Sequence, residues 1–283
     1  MKKSLIFPAV FLVLTQIFAA ILAPRFLNMG FYAFEDPSHS GNALLLFLVF
    51  PVVLIMVMIL VRRNLKRVLN TLFFISIFIA MAVTLYVTFA GILGELISIP
   101  VAVILTLSIT LILRRGKWYF TDGAGLVLAA GITAMLGISL EPLLMGGLLA
   151  ALSLYDFLSV HVTKHMVTMA DSISDLNLPM MLLFPEDPRD FKFEGIMQQG
   201  EEQKKDEPSG IFLGLGDIVI PSSYVISLYI FLSPGVALFA AAGTISGIIV
   251  LLIATYRRGI NAGLPFMGSF GIALSVVGYF LVM

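Results

Sequence analysis

Two carboxylates, Asp156 and Asp217, are the only ones lying well inside the apolar stretches of this 283-residue chain. An ionised side chain surrounded by hydrocarbon is costly, so each is a functional candidate by default. Asp217 closes the tetrapeptide Gly214-Leu215-Gly216-Asp217, near the start of an apolar run that continues to about Leu232. Asp156 follows Tyr155 near the end of an earlier run. Brought together in low dielectric, two carboxylates cannot both ionise; they hold one proton between them and titrate as a pair. Such a pair can hydrolyse a peptide bond: the ionised member takes a proton from water while the neutral one polarises the carbonyl. Two unrelated packing acids, or a proton relay in a transporter, are the alternatives that the residues leave open.

The neighbours of these aspartates fall at helical spacings. Gly210, Gly214, Asp217 and Pro221 recur at i, i+4, i+7 and i+11, which predicts one face of one helix. Gly210 and Gly214 then form a G-x-x-x-G pair that admits a close neighbour. Pro221 has no N–H, so the carbonyl four residues back, that of Asp217 itself, loses its helical partner. Ser153 and Ser159 stand three residues before and after Asp156, placing two hydroxyls on the side of its carboxylate.

The elements that position these groups belong in a bilayer. The chain is 59% hydrophobic and 12% charged, with a mean hydropathy of +1.04. Soluble domains carry about 25% charged residues. Its 17 basic and 17 acidic residues balance, which leaves no basic surplus for nucleic acid. Cysteine is absent, excluding disulfides, thiolate catalysis and Cys-ligated metal. Apolar runs predict an all-α polytopic membrane protein of about nine spans: Leu5–Ala23, Ala43–Val61, Leu72–Ile92, Ile97–Leu113, Gly123–Leu140, Leu143–Val160, Ile211–Leu232, Val236–Thr255 and Ala262–Val282. The first is long for a signal peptide and has no clean A-x-A site, so it reads as a retained helix. Basic residues cluster before span one and after spans two, four and eight, for example Arg62, Arg63, Lys66 and Arg67. By the positive-inside rule the N-terminus is cytoplasmic and, with an odd number of spans, the C-terminus lies outside. Spans six and seven then run in opposite directions. Asp156 is about four residues from the cytoplasmic end of one, Asp217 about six from that of the other, so their depths agree within a helical turn.

The rest of the chain reads as scaffold and connection. Glu95, Asp122 and Glu141 sit at span ends, where a carboxylate reaches water. Gly146, Gly147, Ala150 and Ala151 in span six, and Gly243 and Gly247 in span eight, suit close helix packing. Trp118, Tyr119 and Phe120 read as an interfacial belt. Residues 161–176 pattern as an amphipathic surface helix. His161 and His165 there lack the glutamate of H-E-x-x-H, Val162 taking its place, so no metal site and no cofactor is expected. Asn177–Pro185 is too short to span and reads as an extended or re-entrant piece. Glu186–Ser209 is a charged, flexible linker. Gly259–Pro265 should not be regular helix, because Pro265 and two glycines disrupt a first turn. Three parts result: residues 1–160 ending with Asp156, the cytoplasmic 161–209, and 210–283 with Asp217.

Tyr155-Asp156 in one span and Gly214-Leu215-Gly216-Asp217 in the next resemble the presenilin and signal peptide peptidase family of intramembrane aspartyl proteases. The resemblance covers essentially the whole chain. It implies that Asp156 and Asp217 are catalytic, that Tyr155, Gly214, Leu215 and Gly216 frame the site, and that transmembrane helices of other proteins are cut. The family's third motif, Pro-Ala-Leu at the start of the last span, is imperfect here: Ala262-Gly263-Leu264 occupies its place, with Pro265 following, which suggests Leu264 and Pro265 as site residues. The basic loops favour the presenilin branch, and short loops without cysteine suggest a compact microbial homologue.

Overall fold

The structure, a computed structural model, describes residues 6–63, 65–113, 118–159, 181–185, 210–258 and 262–283. Nine helices lie among the described residues: α1 (Phe7–Asn28), α2 (Ser40–Arg62), α3 (Lys66–Leu93), α4 (Glu95–Leu113), α5 (Trp118–Ser139), α6 (Pro142–Leu158), α7 (Leu215–Phe231), α8 (Pro234–Arg258) and α9 (Gly263–Val282). Each overlaps one of the nine apolar runs. Seven are long and apolar enough to cross a membrane. The other two, α6 and α7, have 17 residues each, roughly 25 Å at 1.5 Å per residue. They are the two that carry the aspartates.

Helix α7 is the most enclosed element. From Ile218 to Leu228 every residue except Ile220 is buried, against α5, α1, α8 and α6. In a bilayer lipid is as apolar as leucine, so helices associate through close packing and hydrogen bonds rather than through the hydrophobic effect. Small residues supply that packing. Gly137 of α5 lies against Ile226, where a β-carbon would come within 2.6 Å of the Ile226 Cβ. Gly247 of α8 would bring one to 2.6 Å from the Phe266 carbonyl oxygen, and Gly243 meets the backbone of Phe270, so α8 and α9 touch backbone to backbone. Gly146 rests on the Tyr224 ring, while Gly147 faces open space. Helix α1 is part of this core, with Leu12, Ala19 and Ala23 fully buried. Helix α2 is its opposite, most of its residues from Leu44 to Ile59 being exposed to where lipid would stand. The loop between them is pinned to the α5–α6 corner: the Ala33 N–H donates to Ser139 Oγ at 2.8 Å, and the Glu141 N–H to the Pro37 carbonyl at 3.1 Å.

Three expectations are corrected. Gly210–Gly214 is not helical but forms strand β2, paired antiparallel with β1 (Met181–Pro185), so Met181 opposes Gly214 and Pro185 opposes Gly210. The i, i+4 glycine spacing there does not make a helix face. Two glycines in five residues favour helix poorly, and a partner strand satisfies their backbone instead. The last span is helical from Gly263 onward, with Pro265 as its third residue. A first-turn proline costs nothing there, because the N–H it lacks would have had no intrahelical partner. Asp122, in the second turn of α5, is buried in the fold instead of reaching water, unlike the exposed Glu95 and Glu141. The expected extended piece at Asn177–Pro185 is realised in Met181–Pro185. The expected surface helix with His161 and His165, residues 177–180 and the 186–209 linker lie outside the described residues.

Candidate active site

Asp217 owes its position to a change of backbone conformation. Strand β2 runs directly into α7 through Gly214, which is extended (φ −65°, ψ 136°) and precedes the first helical residue, Leu215. Asp217 is therefore the third residue of the helix. Its carboxylate folds back over the helix start, with Oδ2 3.5 Å from where a β-carbon on Gly214 would lie. Negative charge is favoured at that end by the unpaired N–H groups and the helix dipole. Pro221, inside α7, leaves the Asp217 carbonyl without its usual amide donor.

Asp156 reaches the same place from α6. It is 5% exposed, two residues before the end of the helix at Leu158. The two aspartates meet the start of α9 at consecutive residues. The Leu264 N–H donates to Asp156 Oδ2 at 3.2 Å. A β-carbon on the preceding Gly263 would lie 2.6 Å from Asp217 Oδ2 and 2.9 Å from its Cγ. Groups 61 positions apart in sequence are thus gathered around one dipeptide.

The same dipeptide is held from a further direction. Ser153 Oγ donates to the Leu264 carbonyl at 3.2 Å, so both backbone polar groups of Leu264 are bound to α6. Gly268, one turn further along α9, lies against Ser153, with 2.6 Å between its would-be β-carbon and the hydroxyl. Beside the aspartates stands the small sheet. Leu182 of β1 and Leu213 of β2 are cross-strand partners, both buried, and Gly125 of α5 makes room for the Leu182 side chain.

The residues expected from the sequence are distributed as follows. Asp156, Asp217, Gly214 and Leu264 come together at the start of α9. Leu215 packs inward, against the cluster of Met81, Leu85 and Leu128. Gly216 is exposed, with nothing within 4 Å of where a side chain would begin. Tyr155 is 42% exposed, and its ring meets Phe50 of α2 edge-to-face at 5.6 Å. Pro265 is half-buried in the first turn of α9. Gly263, Gly268 and the inter-helix reach of Ser153 were not foreseen. The signal that could have found the glycines is their place in the first two turns of a span whose opening already drew notice. Among the described residues no group of three or more histidines and carboxylates is placed to hold a metal ion.

The family described as signal-peptide peptidase and presenilin aspartyl protease matches the chain over residues 9–283. Solved structures share its fold, two of them as follows. One, a presenilin family intramembrane aspartate protease in space group C222, superposes with a TM-score of 0.74 at 24% identity, covering 98% of this chain and 99% of its own. The other, a presenilin family intramembrane aspartate protease in space group P2, gives a TM-score of 0.69 at 26% identity, with 97% and 96% covered. No functionally curated protein matches the chain.

Proposed function

We propose that Asp156 and Asp217 are the catalytic pair of this chain, which belongs to the signal-peptide peptidase and presenilin family of aspartyl proteases. The protein is a membrane-embedded aspartic endopeptidase, and its substrates are transmembrane segments of other proteins. The observation that carries the assignment of the pair is the meeting of both carboxylates at Gly263-Leu264. In the reaction one aspartate, ionised, removes a proton from water as the water oxygen attacks the scissile carbonyl carbon. The other, protonated, gives its proton to the carbonyl oxygen, producing a neutral tetrahedral diol. The C–N bond then breaks as a proton passes to the departing nitrogen, leaving an acid and an amine. No cofactor enters these steps. A proton-relay transporter would use a similar pair, but the family to which the chain belongs consists of hydrolases.

Residues 1–160 supply one half of the site and 210–283 the other. Gly214 frames Asp217 at the helix start, and Leu264 binds Asp156 directly. Leu215 anchors α7 to α5, Gly216 leaves the approach to Asp217 open, and Tyr155 and Pro265 adjoin Asp156 and Leu264 along the chain. The branch within the family is read as presenilin-like, with a cytoplasmic N-terminus. Support comes from the basic residues at or just beyond the ends of α2, α4 and α8. Single cysteines, placed in a chain that has none, test this by accessibility labelling from either side. A cytoplasmic C-terminus would overturn the orientation.

The experiment for the activity is incubation of purified protein with a labelled transmembrane peptide, with and without a hydroxyl-bearing transition-state analogue of peptide hydrolysis. Cleavage within the apolar segment, blocked by the analogue, is the expected result. Cleavage indifferent to the analogue would count against the aspartate pair.

A further inference from the structure

We propose that Ser153 is a positioning residue that sets the distance between the two aspartates without touching substrate; this rests on Asp156 and Asp217 being the catalytic pair. Most serines and threonines within these helices donate to the carbonyl one turn back on their own helix, as Thr84 does to Ala80, Thr106 to Ala102 and Ser223 to Val219. That local bond is the default for a hydroxyl in an apolar helix. Ser153 departs from it and reaches 111 positions along the chain to the Leu264 carbonyl.

The bond gains meaning from what surrounds it. Ser153 and Asp156 lie three residues apart on α6, hence on one face. Between them they hold both ends of a single residue: Asp156 accepts from the Leu264 N–H, and Ser153 donates to its carbonyl, each at 3.2 Å. One bond alone would leave Leu264 free to pivot about it. Two bonds from one helix face fix its rotation as well as its distance. Because Gly263 precedes Leu264 directly and abuts the Asp217 carboxylate, fixing Leu264 fixes the surface against which Asp217 rests. The chain of contacts thus runs from Ser153 to Leu264, Gly263 and Asp217, and returns through Asp156. Ser153 is 9% exposed, so water competes little for the hydroxyl. Gly268 is part of the device. A side chain there would begin 2.6 Å from Ser153 Oγ and 3.2 Å from Leu149 Cδ1, so glycine keeps the hydroxyl's path to Leu264 clear.

Ser153→Ala and Gly268→Ala, singly and together, test this in the full-length enzyme, with Asp217→Asn as the inactive reference. Ser153→Ala is expected to lower kcat by roughly tenfold with KM little changed, because mutual geometry and not uniform binding is lost. One limb of its pH–rate profile should move, since the Leu264 N–H on Asp156 is loosened. Gly268→Ala displaces the same hydroxyl and should give a similar loss. The double variant should be no slower than the worse single one, because residues acting as a unit are non-additive. Two results would overturn the proposal: a Ser153→Ala enzyme with normal kcat and pH profile while Asp217→Asn is dead, or losses that multiply in the double variant. A merely structural role would lower Tm and leave the pH profile unmoved. If Asp217→Asn itself still cuts, the catalytic pair has failed, which is a separate outcome.

Discussion

Gly263 stands against Asp217 with no room for a side chain between them. Any β-carbon at this position would enter the space of the carboxylate, approaching its Cγ to 2.9 Å. Gly263→Val should therefore push Asp217 away from Asp156. A displacement near 1 Å at a reacting group costs on the order of 100-fold in rate. The smaller Gly263→Ala should lose less, about tenfold, since its single methyl group displaces the carboxylate less than the branched valine side chain does. Turnover of a transmembrane peptide, measured beside thermal unfolding in detergent, checks both. A valine variant with normal kcat would show that the contact does not position Asp217.

Asp156→Asn and Asp217→Asn should each remove proteolysis, by at least ~100-fold, because an amide neither accepts nor donates the required proton. The double variant should be no worse than either single one, as befits two halves of one device. Asparagine keeps an oxygen able to accept from the Leu264 N–H, so Asp156→Asn should melt close to the parent temperature. A packing role for these residues predicts the reverse, with stability lost first and activity only in proportion. Near-normal cleavage by Asp217→Asn would end the aspartyl reading.

The rate should rise and fall with pH as a bell. Catalysis needs one carboxylate ionised and one protonated, so it fails on the acid side when both carry protons and on the alkaline side when neither does. The two apparent pKa values belong to the pair and not to either residue. Chelators should leave the profile unchanged. Loss of activity in EDTA with recovery on adding zinc would redirect attention to His161 and His165.

A transmembrane helix hides its peptide bonds, so a substrate must unwind before it is cut. Strand β1 begins beside the entrance to α7, Met181 lying opposite Gly214. An unwound substrate could add to such a sheet through backbone hydrogen bonds. Met181→Pro should then lower cleavage while the protein stays folded. Unaltered cleavage by this variant would exclude strand addition through β1.

Much of this was legible in the sequence because the apolar background makes exceptions visible. Asp156 and Asp217 stand out since hydrocarbon tolerates few carboxylates, and matched depth on successive spans points to one site. The nine helices were legible for the same reason: long apolar runs in lipid have few other conformations open to them. What stayed hidden depends on distant partners. Gly210–Gly214 carries a helical spacing, and only β1, some thirty positions earlier, turns it into a strand. Asp122 lies where a span end meets solvent in one dimension, and its burial comes from neighbouring helices in three. Ser153 was noted for facing Asp156, yet its acceptor on Leu264 belongs to a helix a hundred residues later.

The hydrogen bond from Leu264 to Asp156 has one more consequence. The leading N–H groups of any helix lack partners within it, and a tertiary acceptor that takes one serves as a cap borrowed from another helix. Here the lender is a residue of the proposed catalytic pair. A carboxylate accepts such a bond more strongly when ionised than when protonated. If Asp156 alternates between these forms during turnover, the grip on the start of α9 alternates with it. The protonation cycle is then mechanically legible at a helix end, and because α8 and α9 touch backbone to backbone, it is passed to a pair of helices and not to a single loop. Hydrogen exchange at the Leu264 amide, which should quicken when Asp156 is held protonated, would be the place to watch chemistry and helix stability trade against one another.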